Sequence, residues 1–282
     1  MTLPRFVLGH NALIGVHHSD KSKDVLKDSV TAKETELIDQ VIDLGIEAIV
    51  LDNHPVAIGV AKYLDLKAPN VSVIPMVPYA QSVVDEASRS GLSGVVKEML
   101  GSSISMGAGG IFRTIASLLT LNLPQAGSHV ALWNYVRPFP SRKPKVCFLH
   151  NVVTDLMLGW KSSSGIVSFA NSCRSRGIIP GFVTLNPGEI PWMVDQVGTE
   201  SWFMTSVNSA GVQMSPSKEM VEEEVLSRDD INILAMSVLG GGILEPKEEI
   251  PRALSFPAVK SLVIGSSNID HIRDLQIIIQ SS

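Results

Sequence analysis

Short apolar runs flanked by polar residues recur along the whole chain. They lie at residues 5–10, 47–52, 72–77, 145–150, 178–184, 202–208, 232–237 and 261–266. The run at 5–10 is the weakest copy. Runs this short, with apolar side chains on both faces, are typical of buried parallel strands and are too short for most buried helices. The pattern therefore predicts eight parallel strands.

Helical patterns fill the gaps between these runs. A capping box at Thr31 and Glu34 opens a helix that Gly45 should stop, and a second helix is expected over residues 215–224, with Ser215 as its cap. Residues 268–279 place apolar side chains on one face of a last helix. Alternating strands and helices in this number predict the α/β class and a closed (β/α)8 barrel, the TIM barrel, built as a single domain over residues 1–282.

The third and fourth runs begin at residues 72 and 145, much farther apart than other neighbours. We expect a helix at 82–90 and then an insertion over about residues 91–144. The insertion holds a glycine-rich stretch at 101–110, an apolar segment at 111–121 and a proline-rich end at 137–144. A connection this long usually forms a lid or a binding segment, or is disordered.

The composition of the chain limits the kinds of partner that it is expected to bind. Charged residues make up 18% of the chain, below the usual figure of about 25%, which suits two apolar layers and suggests that some surface is buried in a homo-oligomer. A net charge of -5 argues against a nucleic-acid partner. The two cysteines lack metal or redox spacing, and neither a membrane span nor a signal peptide is evident. We expect a cytoplasmic protein that acts on a small molecule.

Polar residues close the predicted strands, where a barrel places its active site. His150 is the sharpest candidate, because an imidazole there can act as an acid, base, hydrogen-bond donor or metal ligand. Asp52 and His54 follow at the second strand end, and Tyr79 at the third. Candidate substrate-binding residues are Asn11, Asn151, Thr184, Asn186 and Asn208. The alternative is that strand ends meet water and take polar residues as caps, as Thr154 or Asp155 would at the next helix.

Glycines mark a second candidate site after the last two strands. Gly240, Gly241 and Gly242 follow the seventh strand, and Gly265, Ser266, Ser267 and Asn268 follow the eighth. Loops at these places often bind phosphate through backbone N–H groups at a helix start. Two tight turns and an asparagine cap are the alternative explanation.

Four stretches resemble the aldo-keto reductase superfamily. Residues 37–52 (LIDQVIDLGIEAIVLD) resemble its second helix and strand, which would make Asp52 the catalytic aspartate, and residues 148–150 (FLH) resemble the strand end that carries its active-site histidine, here His150. Residues 233–244 and 263–273 resemble the loops that hold the nicotinamide cofactor. The resemblance implies an oxidoreductase that uses NADP or NAD on a small carbonyl or alcohol.

The chain departs from that family at two catalytic positions. Ala57 stands where the family has its proton-donating tyrosine, and Met76 or Val77 where it has a lysine. Leu275 also replaces a residue that contacts the adenine end of the cofactor. Tyr79 or His54 could supply the missing acid.

Two other functional classes stay open. A metal-dependent hydrolase, lyase or isomerase would use Asp52 with histidines drawn from His10, His17, His18, His54 and His150. His17 and His18 are adjacent, however, and cannot readily face one ion together. The other class is a non-catalytic barrel that binds a phosphorylated ligand. No lysine closes a predicted strand, which argues against a Schiff-base aldolase. The reductase is favoured because its resemblance covers both candidate sites.

Overall fold

The strands form a closed parallel barrel in the computed structural model, which describes residues 2–11, 30–77, 139 and 144–282. Each strand pairs with the next along the chain, and the eighth closes on the first. The strands are β1 (Phe6–Leu8), β2 (Ala48–Asp52), β3 (Ser72–Val77), β4 (Val146–Leu149), β5 (Ile179–Val183), β6 (Trp202–Ser206), β7 (Asn232–Met236) and β8 (Val259–Ile264). The predicted α/β barrel is confirmed.

Helices lie between the strands in the sequence. They are α1 (Ala32–Asp43), α2 (Pro55–Lys67), α3 (Asn151–Gly159), α4 (Ser163–Arg174), α5 (Ile190–Val197), α6 (Lys218–Val221), α7 (Pro246–Ser255) and α8 (Ile269–Ser281). A π-helical turn at Glu222–Leu226 continues α6. In the described part of the chain, no helix has the length and apolar character needed to cross a membrane.

Alternation along the strands sorts side chains between two apolar layers. Ala48 and Val50 on β2 belong to the cluster inside the barrel, whereas Ile49 and Leu51 pack in the layer between strands and helices. Because successive side chains of a strand point to opposite faces, Asp52 continues the inner face at the carboxyl end. The same alternation runs along β4, where Phe148 lies in the inner cluster and Leu149 in the outer layer. His150 is therefore the next inward position.

The barrel closes through close backbone packing between β1 and β8. Leu8 pairs with Ile264, and the Gly9 N–H donates to the Ile264 carbonyl at 3.0 Å. A Cβ on Gly265 would lie 2.9 Å from the Gly9 carbonyl oxygen, so only glycine fits at position 265. The end of β8 thus lies against the residue that precedes His10.

Two of the three helix starts agree with the sequence patterns. The Thr31 N–H donates to the Glu34 carboxylate at 2.8 Å, which forms the expected capping box of α1. Asn268 caps α8 by accepting the Asp270 N–H at 2.9 Å. The expectation for Ser215 is wrong, because Ser217 is the cap that accepts the Met220 N–H, and α6 begins only after it.

The expected helix at 82–90 and the segments at 101–110 and 111–121 lie outside the described residues, as does nearly all of the insertion expected at about 91–144. Two residues of the expected insertion are described. Phe139 is buried in the outer apolar layer, and Pro144 precedes β4. Cys147 on β4 and Cys173 on α4 are both fully buried, and burial together with a hydrogen bond to Cys173 raises the pKa of the Cys147 thiol.

Candidate active site

His10 and Asp52 form a buried acid–base pair at the mouth of the barrel. The His10 Nε2 atom lies 3.1 Å from Asp52 Oδ2, and each side chain is only 4% exposed. Among the described residues, no acceptor meets His10 Nε2 in hydrogen-bond geometry, so the contact with Asp52 is mainly electrostatic. An imidazole sealed beside a carboxylate is an arrangement suited to proton transfer.

The carboxyl group of Asp52 is held in its ionised form. Burial by itself raises its pKa, but the attraction of His10 and a hydrogen bond from the His54 backbone N–H together lower the pKa below its ordinary value. That N–H donates to Oδ1 at 2.9 Å. Asp52 therefore presents a fixed negative charge to His10 at neutral pH.

His54 and His150 cap the helices that follow β2 and β4, and they do so in the same way. The Nδ1 of His54 accepts the Val56 N–H at 3.2 Å, and the Nδ1 of His150 accepts the Val152 N–H at 3.3 Å. Because Nδ1 acts as an acceptor in both rings, the neutral forms carry their proton on Nε2. The caps that the sequence suggested for Thr154 and Asp155 are thus supplied by His150 itself.

His150 is the more exposed of these two capping histidines, being half-buried where His54 is buried. Burial lowers the pKa of His150, an effect that the nearby carboxylate of Asp52 partly opposes and that His10 reinforces. These electrostatic couplings place the imidazole of His150 near the His10–Asp52 pair. At neutral pH the ring is uncharged and offers an Nε2–H donor to a ligand in the mouth.

Asp155 joins α3 to the end of β5. Its carboxylate accepts the Thr184 hydroxyl at 2.5 Å and the Leu185 N–H at 3.1 Å. The Thr184 oxygen in turn accepts the Asn186 N–H at 2.9 Å, and Asn186 precedes a short 3-10 turn at Pro187–Glu189. Substrate contacts of Thr184 and Asn186 stay predictions, and the Thr184 hydroxyl already serves the fold.

Asn208 shapes the loop after β6. Its amide donates to the carbonyls of Val212 at 3.0 Å and Ser237 at 3.3 Å, and its side-chain oxygen accepts the Val212 N–H at 2.8 Å. The residue is fully buried, so these contacts use most of its hydrogen-bonding capacity. Asn11 and Asn151 are half-buried and directly follow His10 and His150. Their substrate contacts, like that of Asn208, stay predictions.

The loop after β7 turns through three consecutive left-handed glycines. Gly240, Gly241 and Gly242 have φ values of 56°, 78° and 94°, which side chains rarely tolerate. The N–H groups of Gly240 and Gly242 close turns onto the carbonyls of Ser237 and Leu239. The tight turn alone explains these glycines.

The start of α8 forms the neighbouring loop. The Ser266 hydroxyl accepts the Asn268 N–H at 3.0 Å, and Asn268 caps the helix. Exposed Asp270 stands in the first turn and pairs with Arg273 at 2.6 Å. Ser267 is exposed between these residues. The loop has the backbone of an anion site, although its own carboxylate lowers the attraction for phosphate.

The sequence analysis missed Gln213, which accepts hydrogen bonds from hydroxyl groups at the ends of two strands. Its Oε1 accepts from Ser206 at 3.2 Å and from Ser237 at 3.4 Å. Gln213 and Ser237 both have positive φ, 58° and 53°, and such strained non-glycine backbone concentrates at functional sites. A glutamine in a loop carries no signal of its own, so only the fold shows that the two hydroxyl groups meet at Gln213.

The remaining candidates cannot be placed. Tyr79, His17 and His18 lie outside the described residues. Within the described parts of the chain, no three histidine, cysteine, aspartate or glutamate side chains are grouped to hold a metal ion.

Solved aldo-keto reductases have a similar fold. A candidate aldo-keto reductase from Pseudomonas aeruginosa superposes with a TM-score of 0.63 at 14% identity, over 98% of this chain and 90% of that one. A glycerol dehydrogenase from Gluconobacter oxydans gives 0.55 at 11% identity, over 97% and 86%. A variant of the protein Gox0644 in complex with NADPH gives 0.54 at 11% identity, over 99% and 84%.

Neither the protein-family models nor the curated proteins give a match to the sequence. The solved structures confirm the resemblance to aldo-keto reductases at the level of fold.

Proposed function

We propose that the chain is a nicotinamide-dependent oxidoreductase that interconverts a small carbonyl compound and its alcohol. The observation that carries the proposal is the composition of the barrel mouth. A buried His10–Asp52 pair and the donor His150 lie at the same end of the parallel barrel as the glycine loops after β7 and β8. The similarity in fold to aldo-keto reductases, among them a glycerol dehydrogenase, supports this choice of reaction class by analogy.

His150 would bind the oxygen of the substrate. Its lowered pKa keeps the ring neutral at neutral pH, and its Nδ1 is engaged by the Val152 N–H, so Nε2–H is the donor. A donor fixed in this way stabilises negative charge that develops on a carbonyl oxygen during reduction. The cap holds the ring before substrate arrives, which avoids an ordering cost during the reaction.

The loops after β7 and β8 would hold the phosphate groups of NADP or NAD. Gly240–Gly242 allow a close backbone approach, and Ser266, Ser267 and Asn268 surround the first turn of α8. Arg273 lies within the same turn and could shift from Asp270 toward a phosphate. The described residues therefore fit the phosphate end of the cofactor. When bound, the nicotinamide supplies or accepts the hydride.

The test is a titration and a turnover assay with purified protein. We expect NADPH or NADH fluorescence to change on binding, and glyceraldehyde reduction or glycerol oxidation to proceed with one of the two cofactors. Glyceraldehyde and glycerol are the first probes because of the glycerol dehydrogenase among the similar structures. The absence of any binding at millimolar cofactor would refute the proposal. Metal analysis of the same sample tests the hydrolase alternative.

A further inference from the structure

We infer that Gln213 recognises a second hydroxyl group on the substrate, so that the chain acts on polyhydroxylated carbonyl compounds and their polyols. This assignment rests on the proposed function and names the substrate class of the same site. A hydrogen-bonded cluster at the ends of β6 and β7 carries it. In this cluster, the Oε1 atom of Gln213 accepts the hydroxyl of Ser206 at 3.2 Å and that of Ser237 at 3.4 Å. These three residues are called the Gln213 cluster.

The Gln213 cluster lies at the mouth of the barrel. Trp202 and Met204 on β6 belong to the inner apolar cluster. Because side chains alternate along a strand, Ser206 at the end of β6 is the next inward position. Ser206 is fully buried and Ser237 half-buried, whereas Gln213 is exposed. The bond from Ser206 therefore holds the exposed amide of Gln213 over the inner face, where a substrate in the mouth would meet it.

The loop after β6 fixes Gln213 from both sides. Its neighbour Val212 is bound to the side chain of Asn208 through its N–H at 2.8 Å and its carbonyl at 3.0 Å. Its other neighbour, Met214, is buried, and its sulfur accepts the Asn208 N–H at 3.4 Å. The backbone between them has a φ of 58°, in the left-handed region that favours glycine. The amide is thus oriented before a ligand arrives, which lowers the ordering cost of binding.

The hydrogen-bonding groups that the Gln213 cluster leaves over match a hydroxyl group. Because Oε1 accepts from two serines, the Nε2 group of Gln213 faces away from them with two N–H donors. Within the part of the chain that the structure describes, Nε2 makes no hydrogen bond. The Ser237 hydroxyl uses its hydrogen on Oε1 and keeps its lone pairs as acceptors. A ligand hydroxyl both accepts and donates, so it pairs with the amide and with Ser237 together.

Other ligand groups fit the Gln213 cluster less well. The three side chains are neutral, so a carboxylate or phosphate would lose hydration there without an opposite charge to replace it. An alkyl chain would take water from the Gln213 amide and give it no partner, which disfavours binding. The cluster therefore selects hydroxylated substrates over alkyl substrates of the same length.

The Gln213 cluster shares the rim with His150, the proposed donor to the reacting oxygen. Only β5 lies between β4, which ends at His150, and β6. A substrate whose carbonyl oxygen accepts from His150 would extend along its carbon chain toward the cluster. The hydroxyl that is recognised is then separate from the oxygen that reacts, so Gln213 sets specificity and takes no part in the chemistry.

The experiment measures kcat/KM with NADPH for the wild type and for Gln213→Met on two pairs of probes. Glyceraldehyde is paired with propanal, and D-xylose with pentanal, so each pair has one number of carbon atoms with and without hydroxyl groups. The loss on substitution is taken for each probe, so differences in intrinsic reactivity cancel. We expect the loss for at least one hydroxylated probe to exceed that for its alkyl partner by about tenfold. Ser237→Ala should show a smaller difference of the same sign.

Gln276→Met is the matched control, because it makes the same substitution at the opposite end of the barrel. There, the Gln276 amide donates to the Leu44 carbonyl at 2.9 Å. This control should change neither pair. If Gln213→Met does not fold, Gln213→Gly is measured in its place, since glycine accepts the left-handed backbone. Equal losses on hydroxylated and alkyl probes would overturn the inference alone, and a higher Kd for NADPH in that case would show that the amide binds the cofactor.

Xylitol binding separates this inference from the proposed function. It is measured by saturation-transfer NMR, with and without NADP. We expect the wild type and Gln276→Met to bind xylitol, and Gln213→Met to bind it about tenfold more weakly. A wild type that neither binds NADPH nor turns over the probes would refute the proposed function, while weaker xylitol binding by Gln213→Met would still support a polyol site. Equal xylitol binding by the two proteins, or none by either, would overturn the inference.

Discussion

The two halves of the barrel mouth use different chemistry. The ends of β1, β2 and β4 carry titratable side chains, and His10, Asp52 and His54 are buried there. The ends of β7 and β8 carry glycines, hydroxyls and a helix start, with Asp270 and Arg273 neutralising each other at the rim. Under the proposed function, the first half would move protons, whereas the second half would bind an anion mainly through backbone N–H groups.

This division has a physical cause. Buried charges need partners, so Asp52 is surrounded by imidazole and backbone donors that keep it ionised. Phosphate groups arrive with their own charge and hydration, and exposed turns with small residues let the backbone approach them. Substitutions in the two halves should therefore affect different steps, and the following experiments test that separation.

Asp52→Asn should have the largest effect. The substitution keeps the shape of the side chain but removes the charge that orients His10, so we expect kcat to fall by about 10³-fold or more. Cofactor binding, measured by NADPH fluorescence, should change little. Parallel losses in kcat and NADPH affinity would show that the two halves of the mouth are not separate.

The same variant should alter the acid stability of the protein. The pKa of Asp52 is below its ordinary value of 3.8, so the unfolded chain takes up this proton at a higher pH than the folded protein does. The stabilisation is fully present above about pH 4 and is lost as the pH falls through the folded value. Urea unfolding between neutral and acidic pH should show a shallower acid loss for Asp52→Asn than for wild type.

His150→Asn should have the second-largest effect on activity. We expect kcat to fall by about 10²-fold, because one fixed hydrogen-bond donor to the substrate oxygen is lost. Asparagine is a good helix cap, so α3 keeps its start and the melting temperature should change little. His54→Asn is the parallel variant, because His54 caps α2 in the same way. A His150→Asn protein with wild-type kcat would remove this residue from the mechanism.

Gly241→Ala should weaken NADPH binding by about tenfold, because a Cβ at this left-handed φ would displace the backbone and keep its N–H from reaching a phosphate group. The matched control is Gly45→Ala, since Gly45 has nearly the same left-handed φ, 74° against 78°, at the far end of the barrel. Both substitutions should lower stability by about 1 kcal/mol. Only the first should change the Kd for NADPH, and equal affinities would argue against a cofactor loop at β7.

Asp270→Asn should have the smallest effect and the opposite sign. Removing this exposed carboxylate from the first turn of α8 should tighten NADPH binding by about two- to fivefold at low salt, and less at high salt. Asp274→Asn, an exposed change of the same charge one turn later, is the control. Identical effects of the two variants would place the phosphates elsewhere.

The candidate residues show which parts of the site a sequence can reveal. Asp52 and His150 follow from alternation along β2 and β4, because an inward residue at a strand end is fixed once the strand is recognised. Three consecutive glycines, Gly240–Gly242, also predict a turn. The capping by the His54 and His150 rings carries no usual signal, since histidine is not a preferred cap.

Contacts between distant segments were beyond the sequence. Gln213 accepts hydrogen bonds from the hydroxyl groups of Ser206 and Ser237, and Asp155 accepts one from the hydroxyl of Thr184. These contacts depend on loop conformations that no local sequence pattern encodes. Cys147 and Cys173 show the same limit. Their spacing in the sequence does not suggest that they interact. Both are nevertheless buried within the same apolar layer, and their thiols share a hydrogen bond.

The sequence by itself determined the barrel, because the period of apolar residues dictates which segments are strands and parallel strands in this number close on themselves. Only the tertiary structure decided the partner of Asp52. The alternation along β1 assigns Phe6 and Leu8 to the outer layer, and His10 follows with the same parity. The strand ends at Leu8, and the chain bends at His10. The period of the strand therefore does not predict the contact of His10 with Asp52. That contact occurs where Gly9 packs against Gly265 at the end of β8.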